Sequence, residues 1–202
     1  MKVEEYIKNY LTSKNALEHS KHTQKLSLQF YCELKKIFPK EPLLEFDNAK
    51  KLVSYSALLH DIGTFLENSS GRAHNKAGAK LILENKIDDL DENETKIVAL
   101  CVRYHRGSKP KEHKHKLFSK LSEKDKNITR VISSIIRIAD ALDCNHIQNI
   151  ENIIPAYDIS NRALILNTDV NIMFNKGIYE VFNKKKTLFE DVFKIKICLG
   201  ND

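Results

Sequence analysis

Ile132, Ile136 and Asp140 follow one another at intervals of four residues in a strongly apolar stretch from Asn127 to Leu142. That spacing puts all three on one stripe of a helix. An ionised carboxylate on a buried stripe costs several kcal/mol unless it is paired or bound to a cation. The helix must therefore be packed by neighbours that supply positive charge. Other ionisable side chains stand where a plain core would carry Leu or Val. His22 heads the stripe Leu26, Phe30, Leu34 and Ile37, and the adjacent pair His60-Asp61 closes a run holding Leu52, Val53, Ala57, Leu58 and Leu59.

Taken singly, each has a simpler reading. His22 can be a satisfied polar residue at a helix start, and His60 is similar. Asp61 can be a turn residue before Gly63, and Asp140 can pair with Arg137 three residues earlier. Taken together, the shared helical phase points to one buried metal site assembled from several helices. Imidazole with carboxylate suits Mn, Fe or Zn, and carboxylates also accept Mg. A divalent ion with open coordination positions activates water against a phosphoester. One or two ions are expected, with the two oxygens of Asp61 as the natural bridge.

The periodicity divides the chain. Amphipathic helices are predicted over 1–11, 15–37, 47–62, 75–84, 92–104 and 127–142, with a short one near 116–121. Pro39 and Pro42 end the second, Gly63 the third, and Asp91 to Glu94 caps the fifth. After His146 the pattern changes. Residues 163–170 and 177–182 are predicted extended, 184–192 helical and 194–198 a strand. The expected fold is mainly α: a helical bundle over 1–148 with a small α+β C-terminal subdomain over 149–202. Ile165, Val181, Leu188, Phe189, Phe193 and Ile197 are expected to pack the latter onto the bundle.

With 202 residues, 42% of them hydrophobic, the chain can bury a sizeable core. No stretch approaches the roughly 20 apolar residues of a membrane span, so no membrane partner is expected. The start is charged rather than secretory, and a cytoplasmic location is the expectation. Cys32, Cys101, Cys144 and Cys198 form no CxxC pair, which argues against a zinc knuckle. From Arg103 to Lys126 nine Lys or Arg face three Asp or Glu. Such a segment attracts phosphates, but it lacks interleaved aromatics and supports a nucleic-acid groove only weakly.

His22, LLHDIG at 58–63 and IADALD at 138–143 resemble the HD superfamily of metal-dependent phosphohydrolases. A closer similarity runs through HDIG, His74 with its helix, VRYHRGSKP at 102–110, RIADALDCNH at 137–146 and LFEDVFKIKI at 188–197. Those segments look like the C-terminal half of exopolyphosphatase and guanosine pentaphosphate phosphohydrolase proteins. In that family the helical region follows an actin-like half that carries the phosphatase chemistry, and nothing in these residues is similar to that half. The resemblance implies an HD-domain bundle in which His22, His60, Asp61 and Asp140 ligate the first metal. His74 and His105 match places where some HD enzymes take a second ion or bind phosphate, which gives Asp61, His74 and His105 catalytic roles. Arg72, Arg106 and Lys109 are expected to meet the substrate's negative charge, while Arg137 orients Asp140. HDIGTF lacks the HDxxED extension of stringent-response guanosine tetraphosphate hydrolases. A phosphohydrolase acting on a nucleotide or other phosphoester is the expected function, with a homodimer also implied. The alternative is a non-catalytic module binding nucleotide, polyphosphate or RNA and keeping a structural metal.

Overall fold

The computed structural model describes residues 1–66, 73–172 and 175–200. A mainly helical body carries a small three-stranded mixed sheet near the C-terminus. Its hub is α7 (Glu123–Leu142), which packs against α2 (Lys14–Ile37), α3 (Ala49–Leu58), α5 (Glu92–Tyr104), α8 (Lys176–Lys185) and α9 (Thr187–Phe193). Ser122 starts the hub by accepting a hydrogen bond from the Asp125 amide at 3.1 Å, with Glu123 and Asp125 in the first turn. That cap lengthens the helix by four residues over the predicted start at Asn127. Ile132, Ile135, Ile136 and Ile138 are fully buried. Burying each contributes about 1.5–3 kcal/mol, enough together to carry one aspartate inside.

The remaining bundle helices are α1 (Val3–Tyr10), α4 (His74–Glu84) and the short α6 (Lys116–Ser119). A reciprocal cap between Asp91 and Glu94 opens α5. α3 stops at Leu58, short of the predicted 62, and the chain passes through successive tight turns over 59–63. Gly63 is required at that point. A Cβ on it would lie 2.2 Å from the His74 carbonyl oxygen and 2.4 Å from the Gly78 nitrogen. The backbone contact brings the end of α3 against the start of α4.

β1 (Ile153–Asp158) pairs antiparallel with β2 (Ala163–Thr168), and β2 pairs parallel with β3 (Lys196–Leu199). β1 has no counterpart in the sequence reading, because Pro155 interrupts its alternation. Residues 177–182, expected extended, are helical in α8. The Asn175 side chain caps that helix by accepting from the Ile178 amide at 3.2 Å. Ile178 and Phe182, four apart, form its buried side. β-branched and aromatic composition misled there, and tertiary packing overrode it.

One continuous apolar cluster joins the bundle to Leu164, Leu166, Ile178, Phe182, Phe189, Ile197 and Leu199. Phe30 of α2 stacks on Phe189 of α9 with centroids 5.6 Å apart. Leu188 is also buried, while Val181 and Phe193 are partly so. No described helix is long and apolar enough to cross a membrane. Replacing Phe189 with Ala should cost about 3–5 kcal/mol, read as a lower urea midpoint. An unchanged midpoint would show that the bundle does not lean on the C-terminal elements.

Candidate metal centre

Five elements converge on Asp61. The turns after α3 present His60 and Asp61 together, with His60 Nε2 at 3.5 Å from Asp61 Oδ2. From α2 comes His19, its Nε2 3.2 Å from His60 Nε2, 3.5 Å from Asp140 Oδ1 and 4.0 Å from Asp61 Oδ2. The other Asp61 oxygen faces two more imidazoles. His74 Nε2 from the start of α4 lies 3.2 Å away, and His105 Nε2 at the end of α5 lies 3.5 Å away. Two sets of ligand atoms therefore share one carboxylate, His19/His60/Asp61 and Asp61/His74/His105.

The hydrogen bonds around these rings test whether a metal fits. His60 Nδ1 lies 2.7 Å from the Ala57 carbonyl oxygen, and His105 Nδ1 lies 2.7 Å from that of Val102. A carbonyl only accepts, so each Nδ1 carries the proton and each Nε2 keeps a bare lone pair. His19 Nδ1 donates to Asp143 at 2.8 Å, again leaving Nε2 turned inward. Outer-sphere acceptors that fix imidazole tautomers in this way are typical of metal ligands. The residues present fit a divalent ion in each triad.

His22 is placed differently from the expectation. Its Nε2 lies 2.7 Å from the Ile150 carbonyl oxygen and its Nδ1 lies 3.2 Å from Asp143. Nε2 is taken up by that carbonyl, and Nδ1, which makes no well-formed hydrogen bond, faces Asp143 rather than Asp61. His19, one turn earlier, is the α2 histidine whose ring nitrogen lies within the cluster with His60 and Asp61. His22 instead supports Asp143, which also accepts from the Gln148 amide at 2.8 Å. Sequence reasoning missed His19 and Asp143. Seven residues before Leu26, His19 extends the same stripe by one turn, and Asp143 is the last residue of IADALD.

Of the expected phosphate ligands, Arg106 lies beside the centre, with one guanidinium nitrogen 3.1 Å from His74 Nε2. Lys109 is turned away, donating to Asp191 at 2.6 Å and to the Thr187 carbonyl at 3.1 Å. The 105–110 segment carries it past the cavity onto α9. Arg72 lies outside the described residues. Arg137 donates to the carbonyls of Tyr104 at 2.7 Å and Gly107 at 2.9 Å, and so holds the segment on which His105 and Arg106 sit. Lys185 of α8 forms an ion pair with Asp140 Oδ2. Lys184 and Lys185 line the same cavity of about 730 Å³ as Asp61, His74, His105 and Arg106. The sequence did not single out these two lysines, because they sit in a surface-like run, NKKK.

Electrostatics follows from burial and charge. Burial acts to raise Asp61, but His60, His74 and His105 outweigh it and hold the carboxyl far below its usual range. Asp140 is likewise buried and held low, by Lys185 and then His19. Burial pulls His105 down to about 3, helped by the adjacent His60 imidazole. Burial would lower His19 too. Hydrogen bonds to Asp140 and Asp143, with the charges of Asp140 and Asp61, reverse it and raise His19 to about 9.

Two outcomes follow. Without metal, the stability that His19 contributes is complete below its ordinary pKa of about 6.5 and is lost as pH rises through about 9. An ion needs Nε2 unprotonated, so Mn²⁺ affinity should climb with pH and level off above about 9. Metal titrations at stepped pH check this, and a flat profile from neutral upward would contradict proton competition at His19. Separately, His19→Ala should abolish binding at its triad, whereas His22→Ala should weaken it by about 10- to 100-fold. Equal losses by calorimetry would return His22 to a ligand role.

No curated protein matches the chain. A family model for the Ppx/GppA phosphatase, domain III, matches residues 11–190. This match corrects the assignment to the HD superfamily. Short stretches such as LLHDIG and IADALD report a local ligand geometry, whereas a match along most of the chain reports its family. The chain belongs to the Ppx/GppA phosphatase family, as its domain III.

Proposed function

We propose that the chain is a metal-dependent phosphohydrolase acting on a nucleotide or other phosphoester, with Asp61 common to the two sets of residues that would hold divalent ions. The observation that carries this reading is the division of the Asp61 oxygens between two imidazole triads. Family membership supports hydrolysis in general, and the two clusters support a metal requirement. His19, His60, Asp61 and Asp140 are assigned to one ion, and Asp61, His74 and His105 to the other. Mixed nitrogen and oxygen donors favour Mn or Fe, then Zn, over Mg. When bound, the ions supply Lewis acidity and neutralise phosphoryl charge.

The chain's own groups do the rest. Asp143 holds the His19 ring through Nδ1, and Ala57 and Val102 hold His60 and His105 in the same way. Arg106, Lys184 and Lys185 ring the open side of the cavity. There they meet non-reacting phosphate oxygens and orient the ester. Arg137 fixes the carbonyls of 104 and 107, so Arg106 projects from a braced segment. Lys185 already neutralises one Asp140 oxygen. It thereby limits the negative charge that an incoming phosphate would face.

Asp61→Ala should abolish turnover on a panel of nucleotides and aryl phosphates while the protein still melts cooperatively. It removes the one group common to both triads. A folded Asp61→Ala protein with unchanged turnover would sink the assignment. Wild-type protein that binds metal and nucleotide with no turnover would instead favour a binding module. Arg106→Ala should raise KM about tenfold, the value of one charge-assisted hydrogen bond, with a smaller change in kcat. A fall in kcat at constant KM would place Arg106 in the reacting step.

A further inference from the structure

The segment after α7, residues 143–150, lies along α2 and is fastened to it by three polar contacts. His146 Nδ1 lies 3.0 Å from Asn15 Oδ1, His19 Nδ1 donates to Asp143 at 2.8 Å, and His22 Nε2 lies 2.7 Å from the Ile150 carbonyl oxygen. Asn15, His19 and His22 are spaced by four and three residues, so they share one stripe of the helix.

His146 lies across two of these residues at once. Its Nδ1 meets Asn15, and its ring lies flat on His19, with centroids 3.8 Å apart and planes 3° from parallel. His60, in contrast, meets the His19 ring edge-on at 5.1 Å and 67°. His146 is half-buried and lines the cavity of about 730 Å³ together with Asp61 and Asp140. Neither ligand cluster among the described residues includes it.

The backbone is shaped to put it there. His146 and Gln148 both have left-handed φ, 54° and 53°. Non-glycine residues persist in that region where the surroundings over-determine them. Here the His146 amide donates to the Asp143 carbonyl at 2.9 Å and closes a turn. The Gln148 amide and side chain donate to the two Asp143 carboxylate oxygens at 2.8 and 3.1 Å. The turn carries the His146 ring onto the face of His19 while Asp143 holds the edge of the same ring.

The need for that second contact follows from what one hydrogen bond leaves free. A bond at Nδ1 fixes one point of an imidazole, and the ring can still tilt about it, because hydrogen-bond angles are broadly distributed. His60 and His105 are tied to carbonyls three residues earlier in their own chain segments, which is a short tether. The acceptor for His19 is a side chain beyond the end of another helix. Its Nε2 must nevertheless face Asp140 Oδ1 at 3.5 Å and His60 Nε2 at 3.2 Å. A flat neighbour in van der Waals contact with the face removes the tilt.

We propose that His146 is a positioning residue: with Asp143, it holds the His19 imidazole in the orientation that aims Nε2 at the candidate metal centre. The inference rests on the assignment of His19 to an ion under the proposed function.

The test uses the full chain and two substitutions. His146→Asn removes the ring and suits a left-handed backbone, whereas His146→Phe keeps a flat ring without its nitrogens. Calorimetric titration with Mn²⁺ should show binding weakened about tenfold or more in His146→Asn, the scale of lost outer-sphere support. His146→Phe should stay within about threefold of wild type. With Co²⁺ as the ion, His146→Asn should shift the visible absorption bands and His146→Phe should not. A residue serving the fold alone would move the melting temperature and neither of these. Affinity and spectrum unchanged in folded His146→Asn would overturn the proposal. So would His146→Phe as weak as His146→Asn, since the nitrogens rather than the flat face would then matter. If His146→Asn does not melt cooperatively, Asn15→Ala frees the ring from α2 without touching the turn, and unchanged Mn²⁺ affinity there would overturn the role equally. One readout needs no metal. In the metal-free protein the His19 Nδ1 proton, identified in NMR spectra by its disappearance in His19→Ala, should exchange slowly in wild type and His146→Phe and rapidly in His146→Asn. Wild type that binds no Mn²⁺ would remove the metal assignment, and this proton would then decide alone. Slow exchange in His146→Asn as well would overturn the positioning role.

Discussion

The interior of this molecule is organised around a largely buried carboxylate with four imidazole neighbours. Asp61 meets His60 and His19 through one oxygen and His74 and His105 through the other. Leaving such a group unpaired in a dry interior is prohibitive. Every element that contributes a counter-group is therefore tied to the same point. The early end of α3, the glycine contact that seats α4, and the phase of α7 all serve that convergence.

Stiffness comes from a second layer. For His19, His60 and His105 the ring nitrogen opposite the inward-facing one is fixed by Asp143 or by a backbone carbonyl. Asp143 is itself held by His22 and Gln148. Arg137 spends its guanidinium on main-chain carbonyls rather than on ligand. Such supports lie on α7 and its flanks, so the most buried helix of the bundle is also the one that aligns the site.

Much of the bundle was legible because its apolar stripes keep a strict helical period. Asp140, His60 and Asp61 stood out for the same reason, as polar residues inside apolar runs. His19 did not, since burial of a stripe cannot say which of two histidines three residues apart points at a neighbour's carboxylate. That choice depends on Ile150 and Asp143, residues far away in sequence. The same limit hid Lys185, whose partner Asp140 lies on another helix. Lys109 was misjudged in the opposite sense, because its partner Asp191 lies on α9. For 177–182, residue preference favoured a strand, while an Asn cap and the burial of Ile178 with Phe182 decided for a helix.

The side chains of the two candidate clusters are scattered along the chain, from His19 to His105, and no two helices alone hold a complete cluster with its support. A ribosome releasing this chain would expose His60 and Asp61 long before α7 exists. Two donors on an unfolded segment hold a divalent ion only weakly, so the growing chain has little capacity to trap the wrong metal. Selectivity for any cation would then fall to the finished fold, whose rings are already set in place by their outer hydrogen bonds. Long-range assembly slows folding, and here it would also postpone any metal choice until geometry could exercise it.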